Sequence, residues 1–404
     1  FHLTDPRGAS DKSGRTFNNP YQYFFEQMHM DDAIYADESI YEYPMQQGGG
    51  NDGRPYSFGR PSSGGSKAAY PCKSYGQGRI NPAYFYGVFD PNDMRRDVSI
   101  TMTGSNGKGV EKLIPFVPNS KAEGGGLTLN KWDENRQANP WVAAQRKSGI
   151  NGPYMRMSEV YLGYAEVCAA LGDVVTGKQY LKTVRERSFP QGLANTDAFI
   201  ASFGNDLVRA IIEERGFEYA GEGDRRWTLI RSGYLPEDIK RIKDMTKAMM
   251  DGLATKGYYE FENGNIISAY IWTKLVDAKT IYGHRLTAQC PTDKVNDPVL
   301  YPGWRGQKDN WEEMGLNYGS STPATNLAIK GLFEIVSEEE AASLESQGYA
   351  KVNWGIDLVD NRDEYDKYLF WDYDYVSAPI YLWPFTPNVM AAGGFTNGYG
   401  FKQE

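Results

Sequence analysis

The side chains with the greatest capacity for chemistry in this sequence are carboxylates and arginines, since histidine is scarce. Only His2, His29 and His284 occur among the 404 residues, so a site built on several histidines is poorly supplied. The three cysteines lie far apart and form no Cys-x-x-Cys pair, which supports neither a zinc ribbon nor a disulfide framework. The common hydrolase, zinc-protease and phosphate-loop motifs are absent as well. We therefore expect a protein that is not an enzyme.

The acidic residues leave two alternatives open. A glycoside hydrolase needs a pair of carboxylates, and counting alone does not exclude one in a chain with 52 Asp and Glu residues. Asp90–Asp93 and residues 360–374 are acidic clusters with the oxygen ligands that calcium prefers, but neither cluster has EF-hand spacing. We expect both clusters to be solvated loops and predict no cofactor, with a structural calcium ion as the alternative.

A row of glutamates has the spacing of one helix face. Glu214, Glu218 and Glu222 follow one another at i,i+4 steps within a segment rich in Ile, Phe and Trp. The arginines that could meet this row from a neighbouring turn or helix are Arg215, Arg226 and Arg231. We predict a buried Arg–Glu network that fixes how the helices pack, rather than an anion-binding site.

Aromatic residues supply a different chemistry, that of carbohydrate recognition. They make up 14% of the chain, which also holds 44 glycines, and this combination suggests long, ordered loops. An aromatic ring covers the C–H face of a sugar while polar side chains bind its hydroxyl edges. One ring that buries about 60 Å² contributes roughly 1.5 kcal/mol, so millimolar binding (about −4.1 kcal/mol) needs two or three rings. The formal net charge of −9 argues against a nucleic-acid-binding surface.

Two loop regions place aromatic residues beside polar ones and compete as the ligand site. The first covers residues 54–86 and the second covers residues 301–318. The candidate ligand-binding residues are Tyr56, Phe58, Tyr70 and Tyr75 in the first region, and Trp304, Arg305, Trp311 and Tyr318 in the second. The alternative is that these rings only brace long loops. Trp227 lies beside Ile230 in a helical pattern, and we assign it to packing.

The elements that must position these loops divide the chain into three regions. Residues 1–150 form a loop-rich, aromatic portion that we expect to bind ligand. Residues 151–235 form a helical scaffold, and residues 236–404 supply C-terminal helices and long loops that pack on it. The first region contains one clear alternating segment, residues 37–43, which predicts a half-buried strand.

Helical periodicity is strongest in the middle region. It predicts two amphipathic helix pairs, at residues 153–188 and 206–232, with Pro153 in the first turn of the first helix. Farther along, Ser337 precedes three glutamates, which predicts a capped helix start. The pattern therefore indicates a mainly α fold with tetratricopeptide-like helical repeats, long irregular loops and a few short strands.

Several blocks together resemble the SusD/RagB family. Residues 155–166 are similar to its "RLAEVYLNYAEA" helix, and residues 172–187 to the "N-x-VR-x-R" helix that follows it. Residues 214–233 resemble its "ERRFEFAGEGHRWYDLIR-x-G" block, although Thr228 replaces the usual Asp. Weaker similarity to a "D-x-R" segment lies at Asp90–Arg96, and the tail loosely resembles the family's closing segment. The blocks occur in family order.

The resemblance implies a helical-repeat fold whose ligand site lies on irregular loops and which has no catalytic residues. It also implies a lipid-anchored protein on the surface of a Bacteroidota-type outer membrane. Such proteins bind glycan, or in some members peptide, and deliver it to a SusC-like TonB-dependent transporter. The family's lipoprotein signal, lipid-bearing cysteine and first helical repeats do not occur in this sequence. We expect a missing N-terminal segment or a companion chain to cover the apolar faces that the two helix pairs leave open.

Overall fold

The computed structural model of the chain describes residues 2–5, 19–21, 24–25, 38–45, 58–59, 78–105, 111–114, 116, 126–132, 150–277, 325–363, 381, 385–394 and 396–397. Helices dominate these residues and strands are short, which confirms the predicted mainly α fold with helical repeats. The α-helices in this part of the chain are α1 (Arg95–Ser99), α2 (Met157–Ala170), α3 (Val174–Arg187), α4 (Thr196–Ala201), α5 (Leu207–Glu218), α6 (Asp224–Ser232), α7 (Leu235–Lys256), α8 (Glu338–Ser346), α9 (Gly355–Asp360) and α10 (Pro387–Gly393).

The strands pair in small antiparallel sheets. They are β1 (Ser39–Tyr43), β2 (Ile100–Thr101), β3 (Thr103–Ser105), β4 (Glu111–Leu113), β5 (Thr128–Leu129), β6 (Gly152–Arg156), β7 (Tyr258–Glu260), β8 (Ile266–Ser268), β9 (Tyr270–Asp277), β10 (Thr325–Lys330) and β11 (Ala350–Asn353). β1 pairs with β6, β2 with β5, β3 with β4 and β7 with β8, while β9 lies between β10 and β11. The alternating burial of β1 confirms the predicted half-buried strand.

The first helix pair of the scaffold, α2 and α3, is an antiparallel hairpin. Its connection turns at Gly172, whose φ of +88° suits glycine, and Asp173 then caps α3 by accepting a hydrogen bond from the Thr176 N–H at 3.1 Å. A Cβ added to Gly177 would lie 2.9 Å from the Ala165 carbonyl oxygen, so this glycine lets the two helices approach closely. The hairpin buries Leu162, Ala165, Leu181 and Val184 against α5.

The start of α2 differs from the sequence prediction. Pro153 does not begin a helix, because residues 152–156 form β6 and pair with β1. Ser39 lies opposite Arg156 and Tyr43 opposite Gly152 in this two-stranded ribbon. The helix begins only at Met157, whose N–H donates to the Glu38 carbonyl oxygen at 2.8 Å. A strand partner more than a hundred residues away thus overrides the local helix signal.

The central helix of the scaffold is α5. Asp206 caps its start by accepting from the Arg209 N–H at 3.0 Å, and every helix residue except Val208 is buried. Two glycines with positive φ, Gly223 and Gly233, bound α6 on either side. The chain turns at these glycines, and residues of α6 and α7, such as Leu229 and Leu235, pack with Ile212 of α5.

The largest apolar cluster joins the loop-rich portion to the scaffold. A π-helical turn over Tyr84–Val88 supplies buried aromatic rings, which pack against α5, α7 and the strands that follow. Asn263 and Asn265 each donate to the carbonyl oxygen of Tyr86 at 2.8 Å, which fixes this turn in place. The two portions consequently share one core.

Candidate functional site

The eight predicted ligand-binding residues fall almost entirely outside the described part of the chain. Phe58 is described, and 48% of it is exposed. The other seven lie outside the described residues: Tyr56, Tyr70, Tyr75, Trp304, Arg305, Trp311 and Tyr318. The two loop regions therefore stay a prediction.

The prediction of a solvated loop at residues 90–93 is wrong for Asp93, which is buried and has partners within the protein. Both carboxylate oxygens of Asp93 accept from the Arg95 side chain, at 2.9 and 2.7 Å, and Asp90 accepts from the Asn92 N–H at 2.7 Å. The second cluster is described only as far as residue 363. Across the described ranges, no group of three or more His, Cys, Asp or Glu residues is placed to hold a metal ion.

A set of buried ionic side chains lies where the loop-rich portion meets the scaffold. We call it the charge centre, and it contains as many cations as carboxylates. Its members are Glu38, Asp93, Glu214, Glu218 and Glu222, together with Arg95, Lys131, Arg156, Arg185 and Arg187. No side chain in this set is more than 8% exposed.

Glu218, on the last turn of α5, is the hub of the charge centre. Its carboxylate pairs with Arg156, with Arg187 at 2.6 Å and with Arg95 at 3.1 Å. Burial opposes ionisation of this group, but the three guanidinium groups outweigh burial and hold the pKa of Glu218 well below its ordinary value. Its backbone carbonyl also accepts hydrogen bonds, from Arg156 at 2.8 Å and from the hydroxyl of Tyr21.

Two further carboxylates extend the charge centre along the same helix row. Glu214 pairs with Arg95 at 2.7 Å and with Arg185 at 2.8 Å. Glu222 pairs with Arg156 at 2.9 Å and with Lys131 at 2.6 Å. The predicted Arg–Glu network is therefore present.

The cations that meet the glutamate row come from other elements than the sequence suggested. Arg95 and Arg156 belong to α1 and β6, far from the row in sequence. Of the arginines proposed as partners, Arg215 pairs with Asp224, and Arg231 pairs with Glu166. Since the cations that meet the row lie in α1, β6 and α3 and at Lys131, outside the segment that carries the glutamates, local spacing could not identify them.

Lys131 is a cation whose pKa its surroundings lower. Burial lowers the pKa of Lys131 to about 8, against the attraction of Glu222, which raises it. The ammonium nitrogen lies 5.1 Å from the ring centre of Tyr21 and 5.0 Å from that of Phe25. The side chains of the charge centre are buried and each makes an ion pair, so the charge centre holds neighbouring elements in place.

One of the elements that it positions is the β1–β6 ribbon. Glu38, next to β1, pairs with Arg156 of β6 at 3.3 Å and with Arg187 of α3 at 2.7 Å. Arg156 also donates to the Ser158 hydroxyl at 2.6 Å. The inner side of the ribbon is thus bonded to the scaffold by charge-assisted hydrogen bonds.

The outer side of the ribbon carries exposed aromatic rings. We call this surface the tyrosine face and define it by Tyr41, Tyr43 and Tyr154, which are 57%, 59% and 68% exposed. The rings of Tyr41 and Tyr154 meet edge to face, with centroids 5.6 Å apart and planes at 86°. Sugars bind to exposed rings of this kind, and the tyrosine face is therefore the candidate ligand surface among the described residues.

Sequence reasoning did not identify this surface. The alternation of residues 37–43 predicted a half-buried strand but gave Tyr41 and Tyr43 no role, and Tyr154 fell within the helix pair predicted from residue 153. The assignment of Trp227 to packing is wrong, since 56% of this residue is exposed on α6. Helical periodicity alone does not reveal whether a residue at the edge of the apolar face packs against a neighbouring element or stays exposed.

A surface cavity on the scaffold has different chemistry. It has a volume of about 590 Å³ and lies between α3, α4 and α5. Val174, Ile200 and Leu207 line it, and Lys178 and Asp197 form an ion pair at its edge. Its lining among the described residues contains no aromatic ring, so it lacks a platform for a sugar.

The sequence model of the SusD family matches residues 6–302, well over half of the chain. A curated relative, SusD-like protein P25 of Formosa agariphila, is 28% identical over 160 residues, which are 39% of this chain and 26% of that protein. The chain thus spans about a quarter of the length of that relative.

Solved structures give weaker similarity. A SusD homologue from Bacteroides thetaiotaomicron is 18% identical and covers 58% of this chain and 49% of its own, with a TM-score of 0.43. A surface glycan-binding protein A from the same organism, in complex with laminarihexaose, is 17% identical, covers 55% and 48% of the two chains, and has a TM-score of 0.37. Matches to these structures extend over about half of their length.

Proposed function

Because the chain belongs to the SusD family, we propose that it binds glycans without cleaving them and delivers them to a transporter. The match of the family's sequence model over residues 6–302 is the observation that carries this proposal. The glycan-binding activity is supported by the many aromatic residues of the chain, which are the side chains that cover sugar faces.

Binding rather than catalysis also fits the use of the buried ionic groups. The carboxylates of the charge centre are paired with arginines and enclosed, whereas a two-carboxylate glycosidase needs both groups beside the scissile bond. Glu218, whose pKa is held low by Arg156, Arg187 and Arg95 against the effect of burial, is unsuited to act as a general acid near neutral pH.

The first experiment measures binding and turnover together. Calorimetry of the whole chain with laminarin, amylopectin, galactomannan, pectin and a set of peptides should give heat of binding with at least one polysaccharide. Long incubation with that polysaccharide should release no reducing ends. Release of reducing ends at ordinary enzyme rates would overturn the proposal. Binding of peptides but of no polysaccharide would show that the ligand is a peptide and not a glycan.

The loop regions predicted from the sequence are tested with four variants. Trp304→Ala, Trp311→Ala, Tyr56→Ala and Tyr75→Ala remove one ring each. A ring that contacts the ligand should weaken binding by about 1–2 kcal/mol, with little change in melting temperature. If all four variants melt early and bind normally once folded, the loop rings brace the loops instead.

Delivery requires a location and a partner. We assign the full-length protein to the outer-membrane surface, where a lipid anchor holds it, and pair it with a SusC-like TonB-dependent transporter. Within the described residues, no helix has the length and apolarity to cross a membrane. Protease accessibility on intact cells and co-purification with the transporter test these two assignments. A protein that stays protected in intact cells and never co-purifies with a transporter would contradict them.

A further inference from the structure

The exposed aromatic rings of the β1–β6 ribbon lie close together on one side of it. Single exposed apolar residues are normal on a protein surface. The tyrosine face instead places Tyr41, Tyr43 and Tyr154 together, each more than half exposed, and Met155 beside them is 38% exposed. The largest exposed apolar patch of a monomeric protein is often a functional surface, which makes this patch a candidate.

The chemistry of this surface differs from that of another exposed apolar surface in the described residues. The outer side of α2 and α3 exposes mostly aliphatic side chains, namely Val160, Val167, Leu171, Val174 and Val175, and a single ring, Tyr164, among them. Aliphatic side chains suit a protein partner, and one ring falls short of the two or three that a sugar chain needs. The tyrosine face provides flat rings and hydroxyl groups that both donate and accept hydrogen bonds, as a sugar requires.

The size of the tyrosine face also favours a glycan over a protein. Three rings exposed to this extent offer roughly 400 Å² of surface. A stable protein–protein interface buries about 800 Å² on each partner. A chain of two or three sugar rings needs no more area than the tyrosine face offers.

We propose that the tyrosine face is a glycan-binding surface for chains of neutral pyranoses, separate from the two loop regions predicted from the sequence. This inference rests on the proposed function, since it names a second surface for the same class of ligand. Glu42 follows Tyr41 in β1 and accepts from the Asn151 amide at 2.9 Å, and its negative charge disfavours polyuronates at this surface.

The ribbon that carries the tyrosine face is held firmly in place, which favours ligand binding. Its inner side is held by the ion pairs of Glu38 and Arg156, and Asn151 closes its end by accepting from the Met45 N–H at 2.8 Å. Tyr41 and Tyr154 brace each other. Because the rings are already in place, a glycan that stacks on them orders little of the protein on binding.

Hydroxyl-radical footprinting of the whole chain tests the surface directly. The probes are laminarin, amylopectin and galactomannan, each at saturating concentration, with pectin as the charged comparison. A neutral polysaccharide that binds should protect Tyr41 and Tyr154 from oxidation. Tyr164 is the internal control, since it is 49% exposed on α2 and makes a similar edge-to-face contact with Tyr180. Equal oxidation of Tyr154 with and without a bound polysaccharide would overturn the inference.

Affinity measurements on variants complete the test. Tyr154→Ala should weaken binding of the neutral polysaccharide about tenfold, and Tyr41→Ala/Tyr154→Ala should weaken it further. Tyr154→Phe keeps the ring and should bind within about threefold of the wild type. Tyr164→Ala should bind normally. Melting temperatures of all variants should match, because the replaced side chains are exposed.

The outcomes separate the two proposals. If the double variant binds as tightly as the wild type, the inference fails and the proposed function stands. If no polysaccharide binds to the wild type, both fail. If the double variant binds polysaccharide normally but loses a protein that co-purifies with the wild type, the tyrosine face is a protein-docking surface and the inference is wrong.

Discussion

Two helices rich in glutamate, α5 and α8, place their glutamate side chains in opposite environments. In α5, Glu214 and Glu218 are fully buried and each contacts more than one guanidinium group. In α8, every residue is at least partly exposed. The carboxylate of Glu340 there accepts from the Ser337 N–H at 3.0 Å and completes a capping box.

The difference shows that a carboxylate takes its structural role from what surrounds it. The exposed glutamates of α8 interact with water and with the first turn of their own helix, where negative charge is favourable. The buried glutamates of α5 would be unfavourable if they were alone, and arginines from α1, β6 and α3 compensate them. The charge centre thereby connects elements of both portions of the chain.

The largest expected effect comes from removing the hub of the charge centre. Glu218→Gln leaves Arg156, Arg187 and Arg95 without their shared carboxylate, and we expect the free energy of unfolding to fall by about 3–5 kcal/mol. Urea denaturation measures the change. Glu339→Gln on α8 is the matched control and should stay within about 0.5 kcal/mol of the wild type. Equal effects of the two substitutions would remove the contrast between the helices.

Acid should destabilise the protein through the same group. The guanidinium groups of Arg156, Arg187 and Arg95, against the opposing effect of burial, hold the pKa of Glu218 below its value in the unfolded chain. Its stabilising contribution is present above the unfolded pKa, near 4.5, and is lost as pH falls toward the folded pKa. The loss is at most about 1.4 kcal/mol per pH unit for this group. Urea denaturation curves recorded from pH 6 to pH 3, in steps of ~1 pH unit, measure this loss of unfolding free energy.

The Gln variants sharpen the acid experiment. The free energy of unfolding of Glu218→Gln should depend less on pH than that of the wild type, because the carboxylate that titrates is gone. The curve of Glu339→Gln should keep the wild-type slope. An unchanged slope in Glu218→Gln would mean that other carboxylates dominate acid unfolding.

Alkaline pH should act in the opposite direction through Lys131. Burial lowers its folded pKa to about 8, below the unfolded value of 10.5, so the unfolded chain binds more protons between these values. The free energy of unfolding should therefore rise from about pH 8 to pH 10, by at most about 1.4 kcal/mol per unit. Above about pH 10 the buried tyrosines reverse the trend, since burial raises the pKa of Tyr86 in the folded state.

Lys131→Met separates this contribution from the others. Arg156 still pairs with Glu222 in this variant, at 2.9 Å in the native structure. We expect the rise between pH 8 and pH 10 to disappear while the decline above pH 10 remains. A variant that keeps the rise would assign it to another group.

The smallest expected effect concerns the cap of α8. Ser337→Ala removes the side chain that accepts from the Glu340 N–H at 3.2 Å, and we expect a loss of about 1 kcal/mol. Because α8 is exposed, the loss should appear as faster hydrogen exchange within this helix. Exchange in α5 should not change, and a change there would show that the two helices are coupled.

The sequence by itself determined the elements whose signals are local. Asp173, Asp206 and Ser337 each cap a helix by accepting a hydrogen bond from a backbone N–H three residues ahead, so spacing in the sequence is enough to predict them. The helical periodicity of α2, α3 and α5 and the alternation of β1 are local in the same sense. These signals sufficed for the mainly α fold and its helix pairs.

Only the tertiary structure decided which residues meet across long sequence distances. Arg95 and Glu218 are 123 positions apart, and Arg156 and Glu38 are 118 apart, so no spacing rule could pair them. The long-range pairing of β1 with β6 likewise places residues 152–156 in a strand, so that α2 begins only at Met157 and Tyr154 lies on the outer side beside Tyr41. A side chain's spacing sets the face on which it lies, but its exposure depends on which distant segment packs against that face.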